Sequence, residues 1–140
     1  MIEFQNVSVE YPGPIFGLNG VDLSVGAGEF VFLVGQTGSG KSTLLKLLIR
    51  ELVATRGRVL IEGRDLSTVT EAGIPALRRQ IGFVPQEIGL LPQKKVYENL
   101  MYAMRAAGHT RREARTRVPD LLDRLGLILR SDAYPRELSG

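Results

Sequence analysis

The 140-residue chain is 44% hydrophobic and 24% charged, a balance that suits one α/β domain or a large part of one. It has no cysteine and a single histidine, His109, which excludes disulfides and zinc centres built from thiolates and imidazoles. The formal net charge is +3, and neither a membrane-length apolar run nor a secretory leader is present, so we expect a cytoplasmic chain without a transmembrane segment.

The N-terminal third predicts a hairpin-like pair of strands followed by a third strand. Apolar residues alternate from Ile2 to Tyr11 with one irregularity, and Pro12-Gly13-Pro14 stops this strand. Alternation resumes from Leu18 to Val25. After the turn at 26–29, the apolar run Phe30–Val34 predicts a strand that leads into a glycine-rich segment.

Residues 35–42 read GQTGSGKS, the pattern of a phosphate-binding loop placed between a strand and a helix. Its glycines, Gly35, Gly38 and Gly40, let several backbone N–H groups converge on one anion at the positive end of the following helix. Lys41 is expected to contact the β- and γ-phosphates, and the Ser42 hydroxyl to ligate Mg²⁺. The alternative is a glycine-rich turn that binds nothing.

The remaining elements alternate helix and strand. We predict a helix to about Glu51, a strand at 58–62, a short helix at 76–79, a buried strand at 81–84 that Pro85 ends, a loop after Gln86, and helices at 96–107 and 110–126. Thr110 and Glu113 form a predicted capping box, and Pro119 is expected to kink or restart the last helix.

Basic residues are crowded between Arg105 and Arg117. A nucleic-acid groove normally interleaves aromatic residues, and none occurs between Tyr102 and Tyr134. We therefore expect no nucleic-acid partner and interpret the cluster as a solvated helix face, of a kind that can lie near anionic lipid.

Four stretches together resemble the ATP-binding subunits of ABC transporters. Tyr11 resembles the aromatic platform for adenine, GQTGSGKS the Walker A loop, Gln86 the Q-loop glutamine, and Leu138-Ser139-Gly140 the opening of the signature motif. The resemblance implies an α/β P-loop NTPase fold with a RecA-like ABC ATPase core. It also implies one incomplete domain, with a β-subdomain and Walker A core at 1–86 and the Q-loop and start of the helical subdomain at 87–140.

The same resemblance assigns roles to single residues. ATP with Mg²⁺ is the implied cofactor, and Gln86 would position water and, with Ser42, the metal. Ser139 and Gly140 would act across a homodimer closed around ATP. Tyr11 capping a strand and Gln86 as an ordinary loop amide remain the plain alternatives. The implied cofactor-binding residues are Tyr11, Gly35, Gln36, Thr37, Gly38, Ser39, Gly40, Lys41, Ser42 and Thr43.

Within the family, residues 47–51, 77–82, 90–91 and 96–100 resemble the FtsE branch of cell-division ATPases. This implies an FtsX-like integral membrane partner, received by the loop from Gln86 to Lys95, and a peripheral position on the inner face of the plasma membrane. Pro85 and Glu87 differ from the residues often found there, so lipoprotein-release and amino-acid-import ATPases stay open.

The later motifs of such an ATPase, Walker B with its catalytic glutamate and the switch histidine, are not found in these 140 residues. We expect the chain to be the front part of a longer ATPase that hydrolyses ATP, and to bind nucleotide without turnover by itself. A nucleotide-binding module without turnover is thus the rival class for the whole protein. P-loop kinases and GTPases share the GxxxxGKS pattern, but Leu138-Ser139-Gly140 and Gln86 after a predicted buried strand argue against them.

Overall fold

The structure is a computed structural model that describes residues 1–13, 15–86 and 89–138. The chain separates into two compact units, Met1–Ile81 and Gly82–Gly140, and each is described by itself. No helix in the described residues is both long and apolar enough to cross a membrane.

The first unit contains an antiparallel sheet in the order β2-β1-β3-β4. Strand β1 lies between β2 and β3, and its apolar residues Phe4, Val7 and Val9 are buried. The predicted irregularity of β1 is confirmed, since its register against β2 shifts between Phe4 and Val7 and at two later points. The strands are β1 Ile2–Tyr11, β2 Ile15–Val25, β3 Arg56–Ile61 and β4 Arg64–Asp65.

Two helices complete this unit, α1 at Lys41–Leu48 and α2 at Ile74–Arg79, with short 3₁₀ turns at Leu66–Thr68 and Glu71–Gly73. Leu44 and Leu47 of α1 are buried in the same core as the inward residues of β1 and β3. This packing holds the first turn of α1 against the sheet, and it therefore determines where the glycine-rich loop lies.

The second unit is helical, with α3 at Val96–Ala106, α4 at Arg111–Arg124 and 3₁₀ turns at Ile128–Arg130 and Pro135–Glu137. Val96, Val118 and Leu122 form its core. The predicted capping box is confirmed: the Glu113 N–H donates to the Thr110 hydroxyl at 3.2 Å, and the Thr110 N–H donates to the Glu113 carboxylate at 2.7 Å.

The expected restart at Pro119 is wrong, because α4 runs through the proline as one helix. A kink there stays a prediction. A proline inside a helix removes the hydrogen bond to the carbonyl four residues earlier, and its ring also crowds that carbonyl, so the helix needs stabilisation from other contacts. Ala114, Val118 and Leu122, spaced by four residues around the proline, are all buried, and their burial stabilises the helix on both sides of it.

The strands predicted at 30–34 and 81–84 are also absent. Both segments lie outside the sheet, and Phe30, Phe32 and Val34 expose 83%, 77% and 86% of their surface. A buried parallel strand needs paired neighbours and two covered faces, and no segment among the described residues pairs with either run. Both segments are apolar, as the sequence shows, but an apolar segment becomes a strand only where a neighbouring strand pairs with it.

Candidate functional site

The glycine-rich loop reaches α1 through two residues in the left-handed region, Gly38 with φ 83° and Gly40 with φ 88°. They differ in their surroundings. A Cβ on Gly40 would lie 2.5 Å from the Gly17 carbonyl oxygen and 2.7 Å from Leu18 Cδ2, whereas a Cβ on Gly38 would meet nothing within 4 Å. The loop therefore lies directly on the start of β2 at Gly40 and is open at Gly38.

The Lys41 ammonium is held over this loop. Its Nζ donates to the carbonyl oxygens of Gly35 and Gln36, both at 2.7 Å, and lies 3.3 Å from Ser39 Oγ. Two of its three protons are thus committed to short bonds, and the third makes only the long contact to the hydroxyl. This third N–H can therefore donate a hydrogen bond to a phosphate oxygen without moving the lysine.

The first turn of α1 adds further attraction for an anion. Gly40 caps the helix without a side-chain hydrogen bond, and no acidic residue lies in the first turn. The N–H groups at this end therefore keep their positive partial charge, which favours a negative ligand. Lys46, one turn later, is instead paired with Glu51 at 2.9 Å, and hydrogen bonding to that carboxylate raises the pKa of Lys46.

Tyr11 stands at the other side of the same site. Its hydroxyl lies 3.2 Å from Thr43 Oγ1, and its ring covers Gly17, where an added Cβ would be 2.6 Å from Tyr11 Cε2. The tyrosine is thereby joined to the first turn of α1 through a side chain of that turn. The Tyr11 ring and the glycine-rich loop therefore lie on one surface.

A cavity of about 250 Å³ connects these parts. It brings together six of the residues that the sequence indicated and three that sequence reasoning missed, Ile15, Phe16 and Gly17. The available signal was the sequence Pro12-Gly13-Pro14 between the two strands, because antiparallel pairing of Tyr11 with Ile15 places the start of β2 beside the tyrosine. The six indicated residues are Tyr11, Gly38, Gly40, Lys41, Ser42 and Thr43.

The other indicated residues are placed differently. Gly35, Gln36 and Ser39 form the part of the loop that contacts Lys41, and Thr37 is exposed in the same loop. Gln86 is exposed at a bend in the second unit. Ser139 and Gly140 lie outside the described residues.

The chemistry of the lining fits Mg-nucleotide. Ser42 presents an exposed hydroxyl beside Lys41, and the glycine cradle leaves room for phosphate where a side chain would block it. Among the residues described, no three His, Asp or Glu side chains cluster as a metal site. A hard cation at this cavity would therefore take oxygen ligands from Ser42 and from the phosphates themselves.

Comparison with known proteins decides the family. The ABC transporter family model matches residues 18–140. The chain belongs to the ABC transporter family of ATP-binding domains. The family and the P-loop α/β fold implied by the four sequence stretches are confirmed.

Among curated relatives, the cell division ATP-binding protein FtsE of Bacillus subtilis (strain 168) is 40% identical over 140 residues. The methionine import ATP-binding protein MetN of Caulobacter vibrioides is 40% identical over 141 residues. Each alignment covers the whole of this chain, which spans 61% of the length of that FtsE and 42% of that MetN.

Solved structures agree on the fold. A dimeric structure of MJ0796, a bacterial ABC transporter cassette, superposes with a TM-score of 0.85 at 30% identity, over 100% of this chain and 64% of that one. The post-hydrolysis dimer of the same cassette, bound to ADP and Pi, gives 0.82 at 28% identity over 99% and 63%.

Proposed function

We propose that this chain is the nucleotide-binding front part of an ABC ATPase and binds Mg-ATP in the cavity between Tyr11 and the loop that ends at Lys41. The observation that carries the proposal is the pair of hydrogen bonds that the Lys41 ammonium donates to the carbonyl oxygens of Gly35 and Gln36. A lysine fixed in this way presents a positive charge at one point beside the N-terminus of α1, which matches a chain of phosphates.

Each side of the cavity has a distinct share in this proposal. Lys41 and the first turn of α1 bind the phosphates, Ser42 ligates Mg²⁺, and the Tyr11 ring receives adenine. Phe16, 55% exposed at the start of β2, supplies further apolar surface for the base or ribose. Bound Mg²⁺ would supply charge neutralisation between phosphate oxygens.

The test compares two lysines on the same helix. Lys41→Ala should weaken ATP binding in calorimetry by about 10- to 150-fold, the equivalent of a charged hydrogen bond of about 1.5–3 kcal/mol, and leave adenosine binding unchanged. Lys46→Ala removes the same charge from α1 but does not line the cavity, and its exposed ion pair with Glu51 contributes little. Equal losses for ATP and adenosine, or equal effects of the two substitutions, would reject the phosphate role.

Hydrolysis belongs in this proposal to the complete parent protein. There, Gln86 would position water and Mg²⁺, and Ser139 and Gly140 of one subunit would touch the nucleotide bound by the other in a homodimer. The family resemblance and the ADP-bound dimer of the similar cassette MJ0796 support this arrangement. The rival is a nucleotide-binding module without turnover, and phosphate release by the full-length protein that is lost on Lys41→Ala separates the two.

For the biological role we favour cell division, with an FtsX-like integral membrane protein as partner and a peripheral position at the inner face of the plasma membrane. The 40% identity to FtsE over the whole chain supports this choice. Equal identity to MetN keeps methionine import as the second candidate, and lipoprotein release also remains open.

The loop after Gln86 is the proposed contact with that partner. Its end is pinned by Asn99, whose Oδ1 accepts from the Leu91 N–H at 2.8 Å, while Lys94 and Lys95 are paired with Glu98 and Asp132. Leu90 remains 49% exposed. Apolar surface on a pinned loop is better suited to an interface than to water.

Co-expression distinguishes the partners. The tagged chain should co-purify with an FtsX-like protein rather than with a methionine-import permease, and Leu90→Asp should abolish this while ATP binding is kept. Leu129→Asp, a control at a residue that is 95% exposed outside the loop, should have no effect. Retention of the Leu90→Asp chain would exclude the loop, and preference for the permease would exclude the cell-division role.

A further inference from the structure

The second unit carries all of the net positive charge of the chain. Residues 1–81 contain eight basic and eight acidic side chains, whereas residues 82–140 contain ten basic and seven acidic ones. Nucleotide binding at Lys41 uses none of this excess, because that lysine belongs to the first unit. A separate electrostatic feature of the helical unit therefore needs its own explanation.

The excess is concentrated around a second cavity, of about 500 Å³, between α3 and the N-terminal half of α4. Arg105 from α3 and Arg111 and Arg115 from α4 line it. Among the residues that the structure describes, no ion pair or hydrogen bond engages any of these three guanidinium groups. Three unpaired arginines on one cavity repel each other unless an anion lies between them.

Glu98, the acidic side chain in the described lining, does not neutralise them. The carboxylate of Glu98 accepts from the Lys95 N–H at 3.0 Å and from Lys94 Nζ at 3.4 Å. It is therefore occupied at the start of α3 by its own capping contact and by a lysine. Among the described residues, the lining has four basic side chains and this one acidic side chain, which is already engaged.

The remaining walls are amphipathic. Tyr97, Met101 and Tyr102 of α3 line the same cavity, and Tyr102 exposes 63% of its surface. Tyrosines with an apolar ring and a polar tip are enriched where protein meets the membrane interface, and guanidinium groups bind phosphate with two parallel hydrogen bonds. A solute with one phosphate and an apolar glycerol ester next to it matches both halves of the lining.

We propose that this cavity binds the headgroup of an anionic phospholipid, with Arg105, Arg111 and Arg115 on the phosphate and the tyrosines at the ester level. The helical unit then contacts the membrane surface directly, and this contact is independent of nucleotide and of a protein partner. It adds a lipid contact to the membrane-protein contact proposed above for the loop after Gln86.

The test uses vesicle co-sedimentation of the 140-residue chain. The chain should bind phosphatidylglycerol vesicles far better than phosphatidylcholine vesicles. Adhesion through exposed apolar residues contributes to both vesicle types, so the difference between them reports the effect of the anionic headgroup. The triple variant Arg105→Gln, Arg111→Gln, Arg115→Gln should reduce the affinity for phosphatidylglycerol vesicles by about a hundredfold. The reason is that each arginine near an anionic surface contributes roughly tenfold or less to that affinity.

A matched control has the same change of charge elsewhere in the unit. Arg112, Arg124 and Arg130 are exposed and do not line the cavity, so their triple Gln variant should lose at most about fivefold through the screened long-range field. Equal losses in the two triple variants would overturn the site and leave only a diffuse charge effect. Circular dichroism at 222 nm should be unchanged in both, since all six side chains are on the surface.

A fluorescence arm locates the contact. The chain has no tryptophan, so Tyr102→Trp introduces a single reporter inside the cavity, and Leu129→Trp places one outside it. Phosphatidylglycerol vesicles should shift the Tyr102→Trp emission to shorter wavelength and leave Leu129→Trp unchanged. A shift of both or of neither contradicts the proposal, as does binding of an acidic peptide such as polyglutamate in the absence of any vesicle binding.

Discussion

Gly38 and Gly40 offer a matched pair of substitutions for the loop above β2. Both glycines have positive φ, so alanine at either position incurs the left-handed penalty of about 1–2 kcal/mol. Either substitution also lowers the conformational entropy of the unfolded chain by the same amount, so this effect cancels in the comparison. Only Gly40→Ala places its Cβ 2.5 Å from a backbone oxygen, that of Gly17, which cannot move away cheaply. Overpacking of this kind costs a further 1–3 kcal/mol, roughly.

We therefore expect Gly38→Ala to lower the free energy of unfolding by about 1–2 kcal/mol and Gly40→Ala by about 2–5 kcal/mol. In thermal melting followed by circular dichroism, Gly40→Ala should melt at least about 3 °C below Gly38→Ala. Stability is the cleaner readout, because Gly38 lines the cavity and a methyl group there can also obstruct a ligand. Equal melting temperatures would show that the loop does not lie on β2 as described.

Three further outcomes are expected. Tyr11→Phe should keep the ATP affinity, whereas Tyr11→Ala should lower it by about 5- to 150-fold, equivalent to about 1–3 kcal/mol of stacking. If calorimetry shows unchanged ATP affinity for Tyr11→Ala, Tyr11 is not part of the site. The hydrogen bond from the Thr110 N–H holds the pKa of Glu113 below its ordinary 4.5. The stability that ionised Glu113 adds to α4 is therefore complete above pH 4.5, and it is lost as the pH falls through the lowered pKa. Helicity at 222 nm should fall on acidification more in the native chain than in Glu113→Gln, and identical pH profiles would contradict this. Exposed Phe32 should bind an apolar dye such as anilinonaphthalene sulfonate, with less fluorescence in Phe32→Ser; equal fluorescence would mean that the segment is covered.

Much of the candidate site was predictable because its determinants are local. The spacing of glycines before Lys41 specifies a loop that turns through left-handed backbone, and the Thr110 and Glu113 pair specifies the start of a helix. Tyr11 was found through its resemblance to an adenine platform, and the structure places it 3.2 Å from Thr43. Phe16 was missed because nothing in its immediate neighbours marks it; its place follows from the hairpin.

The sequence by itself determined the local elements: the turns, the capped helices, the loop over α1 and the apolar character of each segment. Tertiary structure decided which apolar runs became strands. Phe4, Val7 and Val9 are buried because β2 and β3 pair with β1. Phe30 and Phe32 are just as hydrophobic but stay exposed, since no segment in the described part of the chain pairs with them. It also decided that arginines from two helices, Arg105 and Arg115, line one cavity. The physical reason is that turn and helix signals act within a few residues, whereas sheet pairing and shared cavities depend on contacts between segments far apart in the chain.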